Sequence, residues 1–270
     1  MRFLASLSLA FALAGCASLQ SGQTGQTVQV GPSRIAYLQS GTGQPVAVFQ
    51  SGLGDGKDVW ADVIARLPPG TAVFAYDRPG YGGSGPLPAG PRDPCAVAHE
   101  LHAALQAAGQ RPPYVLVGHS IGGLYQYAFA RLYPTEVAAV LLVDPTHPDH
   151  WARMQQEAPG PARLLGAARA TLFSAAMRSE FDAQTSLACS AEFQARPAPL
   201  MPVRLLVRTD YGLAEKGDFE TLMHRLQADW PRLLPGTSRR EVAGTGHYIQ
   251  RDRPGVVVEE LGILVRSAPP

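Results

Sequence analysis

Tyr114-Val115-Leu116-Val117-Gly118-His119-Ser120-Ile121-Gly122-Gly123 decides how this chain is read. The apolar run 114–117 has the length and composition of a buried strand. From Gly122 to Arg131 the residues are apolar and free of proline until Tyr133-Pro134, which predicts a helix directly behind the strand. Between the two lies Gly118-x-Ser120-x-Gly122. A strand-to-helix turn this sharp strains the backbone of Ser120 and pushes its hydroxyl into the open. A side chain at 118 or 122 would strike the neighbouring strand or helix. Free N–H groups at the helix start then face the place where negative charge would develop. Ser120 is therefore the candidate nucleophile.

Outward from this turn, strands alternate with helices. Residues 46–49, 71–76, 137–143, 203–207 and 240–243 read as strands, most of them buried runs, and 28–30 with 34–38 as a hairpin about Gly31-Pro32. Helices are predicted at 58–67 with Asp58 as cap, at 93–108 with Asp93-Pro94 as cap and first turn, at 219–230 and at 254–266. Trp60 reads as a core residue. Between 145 and 199 the alternation breaks. Helices are expected there at 151–157 and 162–179, separated by Pro159-Gly160-Pro161. His99 and His102 stand three apart on one helix, but no metal-ligand set surrounds them and they read as surface residues.

Two further stretches accompany the serine motif: Asp77-Arg78-Pro79-Gly80-Tyr81-Gly82-Gly83-Ser84 after one strand, and Gly244-Thr245-Gly246-His247 after the last. Together these motifs resemble the α/β-hydrolase superfamily, its serine esterases and lipases in particular, and the likeness runs along almost all of residues 28–270. It implies a mostly parallel central sheet with helices on both faces and a helical cap, 145–200, inserted after the strand ending at Asp144. It implies that His247 is the general base and acid for Ser120. Asp77 and Arg78 become a structural turn. The loop Gln50-Ser51-Gly52-Leu53-Gly54-Asp55-Gly56 would supply one oxyanion donor, the N–H of Leu53, with that of Ile121 as the other. Ser51 stands where the family usually has His, which is immaterial for a backbone donor. Leu164, Leu165, Leu172, Phe173, Met177 and Phe181 would face the site from beneath the cap or simply pack it.

Two acids compete to orient His247. Asp210 ends the strand after the cap, the common family position, but Arg208 replaces the expected glycine of a Gly-x-x-Asp turn and the acid comes one residue early. Asp144 ends the buried strand 140–143, at the sheet edge where catalytic groups gather, and is favoured. Ser rather than Asp or Cys at the turn excludes dehalogenase, epoxide-hydrolase and thiol chemistry. What remains is cleavage of a carboxylic ester or thioester through an acyl-enzyme, without cofactor or metal. A C–C bond hydrolase or perhydrolase would use the same residues, and a binding protein on this scaffold is the non-enzymatic alternative.

The chain has 270 residues, 46% hydrophobic and 17% charged, with a formal net charge of +1. This suits one globular domain and gives no basic field for nucleic acid. The start differs. Met1-Arg2, an apolar stretch 3–13 too short to span a bilayer, and Leu13-Ala14-Gly15-Cys16 resemble a bacterial lipoprotein signal, 1–15, with Cys16 lipidated. Ala17 after it points to the outer membrane, facing the periplasm, and 16–27 reads as a flexible tether. In that oxidising compartment Cys95 and Cys189 could pair or remain two buried thiols.

Overall fold

The computed structural model describes residues 25–187, 189, 191, 193 and 197–268. The expected signal 1–15, Cys16 and most of the expected tether lie outside them. Eight strands form one sheet: β1 (Gln26–Val30), β2 (Ser33–Ser40), β3 (Val46–Gln50), β4 (Val73–Tyr76), β5 (Tyr114–His119), β6 (Val137–Val143), β7 (Val203–Arg208) and β8 (Thr237–Val242), in the order β1-β2-β4-β3-β5-β6-β7-β8. The β1–β2 and β2–β4 pairs at one edge are antiparallel and the remaining pairs are parallel. Gln26 and Thr27, expected in the tether, pair with Tyr37 and Ala36, so the folded domain starts earlier than the composition suggested.

The central strands are apolar throughout because both faces are covered. Val48, Leu116, Val140, Leu142 and Leu205 point to one face, beneath α2 (Pro94–Ala107) and α3 (Ile121–Leu132). Phe49, Val115, Val117, Leu141 and Leu206 point to the other. There they meet Trp60 and the helix at Pro254–Ser267, through Val257, Leu261 and Leu264. Asp93 caps α2 as expected, accepting from the N–H groups of Cys95 and Ala96. Asp58 caps nothing. The segment forms a 3-10 turn at Lys57–Trp60 and the single turn α1 (Ala61–Ile64), and it is Asp77 Oδ1 that accepts from the Lys57 N–H at 2.7 Å.

Between β6 and β7 stand α4 (His150–Glu157), α5 (Pro159–Thr171) and α6 (Ala175–Ala183), the cap. The expected break after Glu157 is present but narrows to Ala158, because Pro159 already opens α5 in the first turn, where its missing N–H costs nothing. A second break, not expected, divides the helix read over 162–179: Ser174 caps α6 by accepting from Met177 N–H. Met154, Ala158 and Ala162 of the cap pack on Leu222 and Leu226 of α7 (Asp218–Leu233). Leu164 and Leu172, expected underneath, are 63% and 77% exposed. The chain ends with α8 (Ile249–Asp252) and α9 (Pro254–Ser267). No helix among the described residues is long and apolar enough to cross a membrane.

Cys95 on α2 and Cys189 behind the cap form a disulfide across 94 residues. It closes a long loop of the unfolded chain, so replacing both cysteines by alanine is expected to lower the unfolding free energy by about 2–5 kcal/mol. Urea unfolding without reductant measures this. The denatured, unreduced chain should show no reactive thiol from either cysteine.

Candidate active site

Ser120 sits between β5 and α3 with φ +55° and ψ −126°. Among the described residues it shares positive φ outside glycine only with Asp144, at +40°. Each such conformation costs on the order of 1–3 kcal/mol, and both fall where side chains converge at the carboxyl end of the sheet. The glycines explain how the turn fits. A Cβ at Gly118 would lie 2.6 Å from the Gly122 carbonyl oxygen, and one at Gly122 would lie 2.4 Å from that of Gln50. Gly123, which the motif does not include, is equally constrained, because its Cβ would meet Pro145 at 2.6 Å. The two strained turns brace each other: Ser120 N–H donates to the Val143 carbonyl at 3.2 Å, and Thr146 N–H donates to that of Ser120 at 2.9 Å.

His247 joins the two. Its Nε2 lies 3.0 Å from Ser120 Oγ and its Nδ1 lies 2.6 Å from Asp144 Oδ2. Asp144 is buried, and its Oδ1 accepts from Gln227 Nε2 at 2.9 Å. The arrangement therefore holds the imidazole with Nδ1–H toward the carboxylate and Nε2 free to accept the serine proton. Asp210 is exposed, and its carboxylate is reached by the Thr209 hydroxyl at 3.1 Å, not by His247. Its contribution is the backbone, whose N–H holds the Thr245 carbonyl at 3.0 Å beneath the histidine loop. His119 Nε2 donates to the His247 carbonyl at 2.9 Å, and burial drives the His119 imidazole far below its ordinary range, so it stays neutral.

A cavity of about 290 Å³ opens beside Ser120, lined by Leu53, Ile121, Leu165, Phe181, Phe219 and Met223 among others. Within the described residues the N–H groups of Leu53 and Ile121 donate to no protein group. The polar lining residues Thr146, His150, Gln184, Arg208 and Glu215 were missed in the sequence as parts of the site. His150 opens α4, and burial pushes its imidazole down to about 4, so it enters the cavity uncharged at neutral pH, with Nε2 unpartnered. Arg208 ends β7 with Nε 3.3 Å from Asp144 Oδ2 and its guanidinium 4.2 Å over the Tyr211 ring. The histidines following Asp144 were the available signal for His150. Arg208 was read only as a missing glycine.

His99 and His102 serve structure. His99 meets the Tyr133 hydroxyl, and His102 stacks on the Tyr133 ring at 3.8 Å and pairs with Glu136 at 3.0 Å. Trp60 is fully buried and donates to Ser51 Oγ.

Residues 47–260 match the family described as Alpha/beta hydrolase family. The chain belongs to it. RutD of Klebsiella pneumoniae subsp. pneumoniae, provisionally named a carbamate hydrolase, is 32% identical over 187 residues, 69% of this chain and 65% of RutD. The chain spans only 22% to 65% of the length of this and the other leading curated relatives. Among solved structures, the esterase RhEst1 from Rhodococcus sp. ECU1013 superposes with TM-score 0.61 at 22% identity, covering 90% of this chain and 98% of that one. A thermophilic esterase from Thermogutta terrifontis gives 0.61 at 20%, covering 89% and 98%. At such identities these likenesses carry the α/β-hydrolase fold, which the eight-stranded, mostly parallel sheet displays.

Proposed function

We propose that this α/β hydrolase is a serine esterase that cleaves a carboxylic ester or thioester through an acyl-enzyme on Ser120. The observation that carries the reading is the unbroken line from Ser120 Oγ through His247 to the buried Asp144 carboxylate, at 3.0 and 2.6 Å, opening on an apolar cavity. His247 takes the serine proton as Oγ attacks the carbonyl carbon, then returns it to the leaving alcohol or thiol. Water repeats the two transfers and frees the acid. Asp144 fixes the tautomer and stabilises the imidazolium. The N–H groups of Leu53 and Ile121 receive the oxyanion. The cavity lies at the lower end of small-molecule sites, so short-chain p-nitrophenyl esters should turn over faster than the palmitate. The deciding experiment is labelling with a fluorophosphonate probe. Covalent modification of Ser120 in the folded chain is the expected result. A folded chain that resists the probe and leaves esters intact would be a binding protein.

The same proposal places the protein on a lipid anchor at Cys16, in the bacterial envelope, facing the periplasm. The Leu-Ala-Gly-Cys sequence supports it, and so does a disulfide, which persists in oxidising compartments. Cys16→Ser is expected to move the protein from the membrane fraction to the soluble one or to stall its processing. Normal processing with unchanged membrane fractionation would remove the anchor from the proposal.

A further inference from the structure

Arg78 was expected to be a turn residue, and the structure gives it more to do. Its side chain is 2% exposed, and Glu180, reaching down from α6 of the cap, is fully buried opposite it. Arg78 Nε donates to Glu180 Oε1 at 2.7 Å and Nη2 to Oε2 at 3.0 Å, a two-point pair, while the Tyr81 hydroxyl donates to the same Oε2 at 2.9 Å. The rings of Tyr81 and Tyr125 lie 4.9 and 5.3 Å from the guanidinium carbon. Burial works against the guanidinium charge, but the Glu180 carboxylate overrides it and holds Arg78 protonated. Two further donors go to backbone: Nη1 to the Ser51 carbonyl at 2.7 Å and Nη2 to the Gly52 carbonyl at 2.8 Å.

The Gly52 carbonyl matters because of the peptide it belongs to. Gly52–Leu53 is a trans peptide, since the cis bonds of the described residues lie at Gln44-Pro45 and Pro112-Pro113. In a planar trans peptide the C=O and the N–H point in opposite directions. Arg78 Nη2, joined by the Asp55 N–H at 3.3 Å, anchors the Gly52 oxygen, and this turns the Leu53 N–H away from the anchored side. Leu53 lines the cavity beside Ser120, and its N–H donates to no protein group among the described residues. Glycine at 52 is required for the same close fit, because a Cβ there would lie 2.9 Å from His119 Nδ1. The guanidinium thus links the cap, through Glu180, to the orientation of one backbone donor.

We propose that Arg78 is a positioning residue for the oxyanion site and that Glu180 makes the cap a working part of that site. The proposal rests on the serine-esterase reading. A donor that meets the oxyanion only in the transition state acts on kcat and not on ground-state binding. Loss of one such donor costs about 10²–10³ in kcat.

Arg78→Lys keeps the charge but cannot hold two carbonyls and two carboxylate oxygens at once. It is expected to lower kcat for a p-nitrophenyl ester about 10²-fold with KM little changed. Affinity for an aryl trifluoromethyl ketone should fall in parallel. That ketone forms a tetrahedral adduct when Ser120 Oγ bonds to its carbonyl carbon and the serine proton passes to His247, leaving an oxyanion to be bound. Glu180→Gln preserves shape and removes the charge that orients Arg78. It should show the same pattern about tenfold more weakly, and it decides the question if Arg78→Lys does not fold. Parallel losses of kcat and ketone affinity in a folded variant support the proposal. A folded variant with unchanged kcat and ketone affinity, or with a loss confined to KM, overturns it. Wild type and Ser120→Ala are run alongside with the fluorophosphonate probe. A wild type that is neither labelled nor active overturns the esterase reading and this inference with it. A labelled wild type with unaffected variants overturns the inference alone.

Discussion

Ser120→Ala is expected to lower ester turnover about 10⁶-fold while leaving the cooperative unfolding transition in place. The hydroxyl is the group proposed to form the bond, and no second nucleophile stands within reach of His247 among the described residues: its other ring nitrogen is committed to Asp144. The fold should tolerate the change, because Ser120 holds its strained turn through backbone bonds to Val143 and Thr146. His247→Ala should cost about as much, and the double variant little more than either single one, since hydroxyl and imidazole act only together. Initial rates with a short p-nitrophenyl ester, alongside thermal unfolding curves, test this. Near-full turnover in a folded Ser120→Ala chain would end the acyl-enzyme mechanism. Additive losses would mean that the two residues act on separate steps.

Asp144→Asn should lower turnover about 10⁴-fold, and Asp210→Asn should leave it unchanged. Asparagine has the shape of aspartate and tolerates the positive φ that residue 144 adopts, so the backbone need not move. The chemistry does change. An amide –NH₂ in place of Oδ2 would donate to His247 Nδ1 and force the proton onto Nε2, where it blocks acceptance from Ser120. Gln227 can still donate to the amide oxygen in the place of Oδ1, so packing survives and the effect isolates the tautomer. At 210 the side chain is exposed and only the N–H supports the histidine loop, and asparagine keeps that N–H. Turnover of both variants, with folding verified by circular dichroism, ranks the two acids. The reverse ranking would place the orienting role at Asp210.

How much of this was written in the chain depends on the range over which each feature is set. The strand, the turn and the helix around Ser120 were legible because they are local: an apolar run, a Gly-x-Ser-x-Gly spacing and a proline stop suffice. His247 was legible as a candidate through resemblance, because Gly-Thr-Gly-His behind the last strand is similar to the family's histidine loop. Asp93 capped its helix as read. The misreadings arose where tertiary partners outvoted local preference. Asp58 had the composition of a cap, but Asp77 took the N–H it would have served. Pro159, read as part of a break, belongs to the helix that follows it, because a first-turn residue needs no N–H. Leu164 and Leu172 have the hydropathy of a buried lining yet face outward, since the rotation of a helix about its axis is set by what it packs against.

The sequence by itself determined the fold class, the order of strands and helices along the chain, and the serine and histidine that could work together. Only the tertiary structure decided which carboxylate lies beside the imidazole. Asp144 stands directly after β6 and Asp210 two residues beyond β7, and the fold puts one 2.6 Å from the imidazole and the other in solvent. Tertiary structure alone also brought Arg78 and Glu180 together across 102 residues, and set His150 and Arg208 at the cavity wall. Such pairings have no local signature, because a side chain's neighbours are chosen by the folding of whole elements onto a sheet, whereas a turn is chosen by the steric limits of the residues that make it.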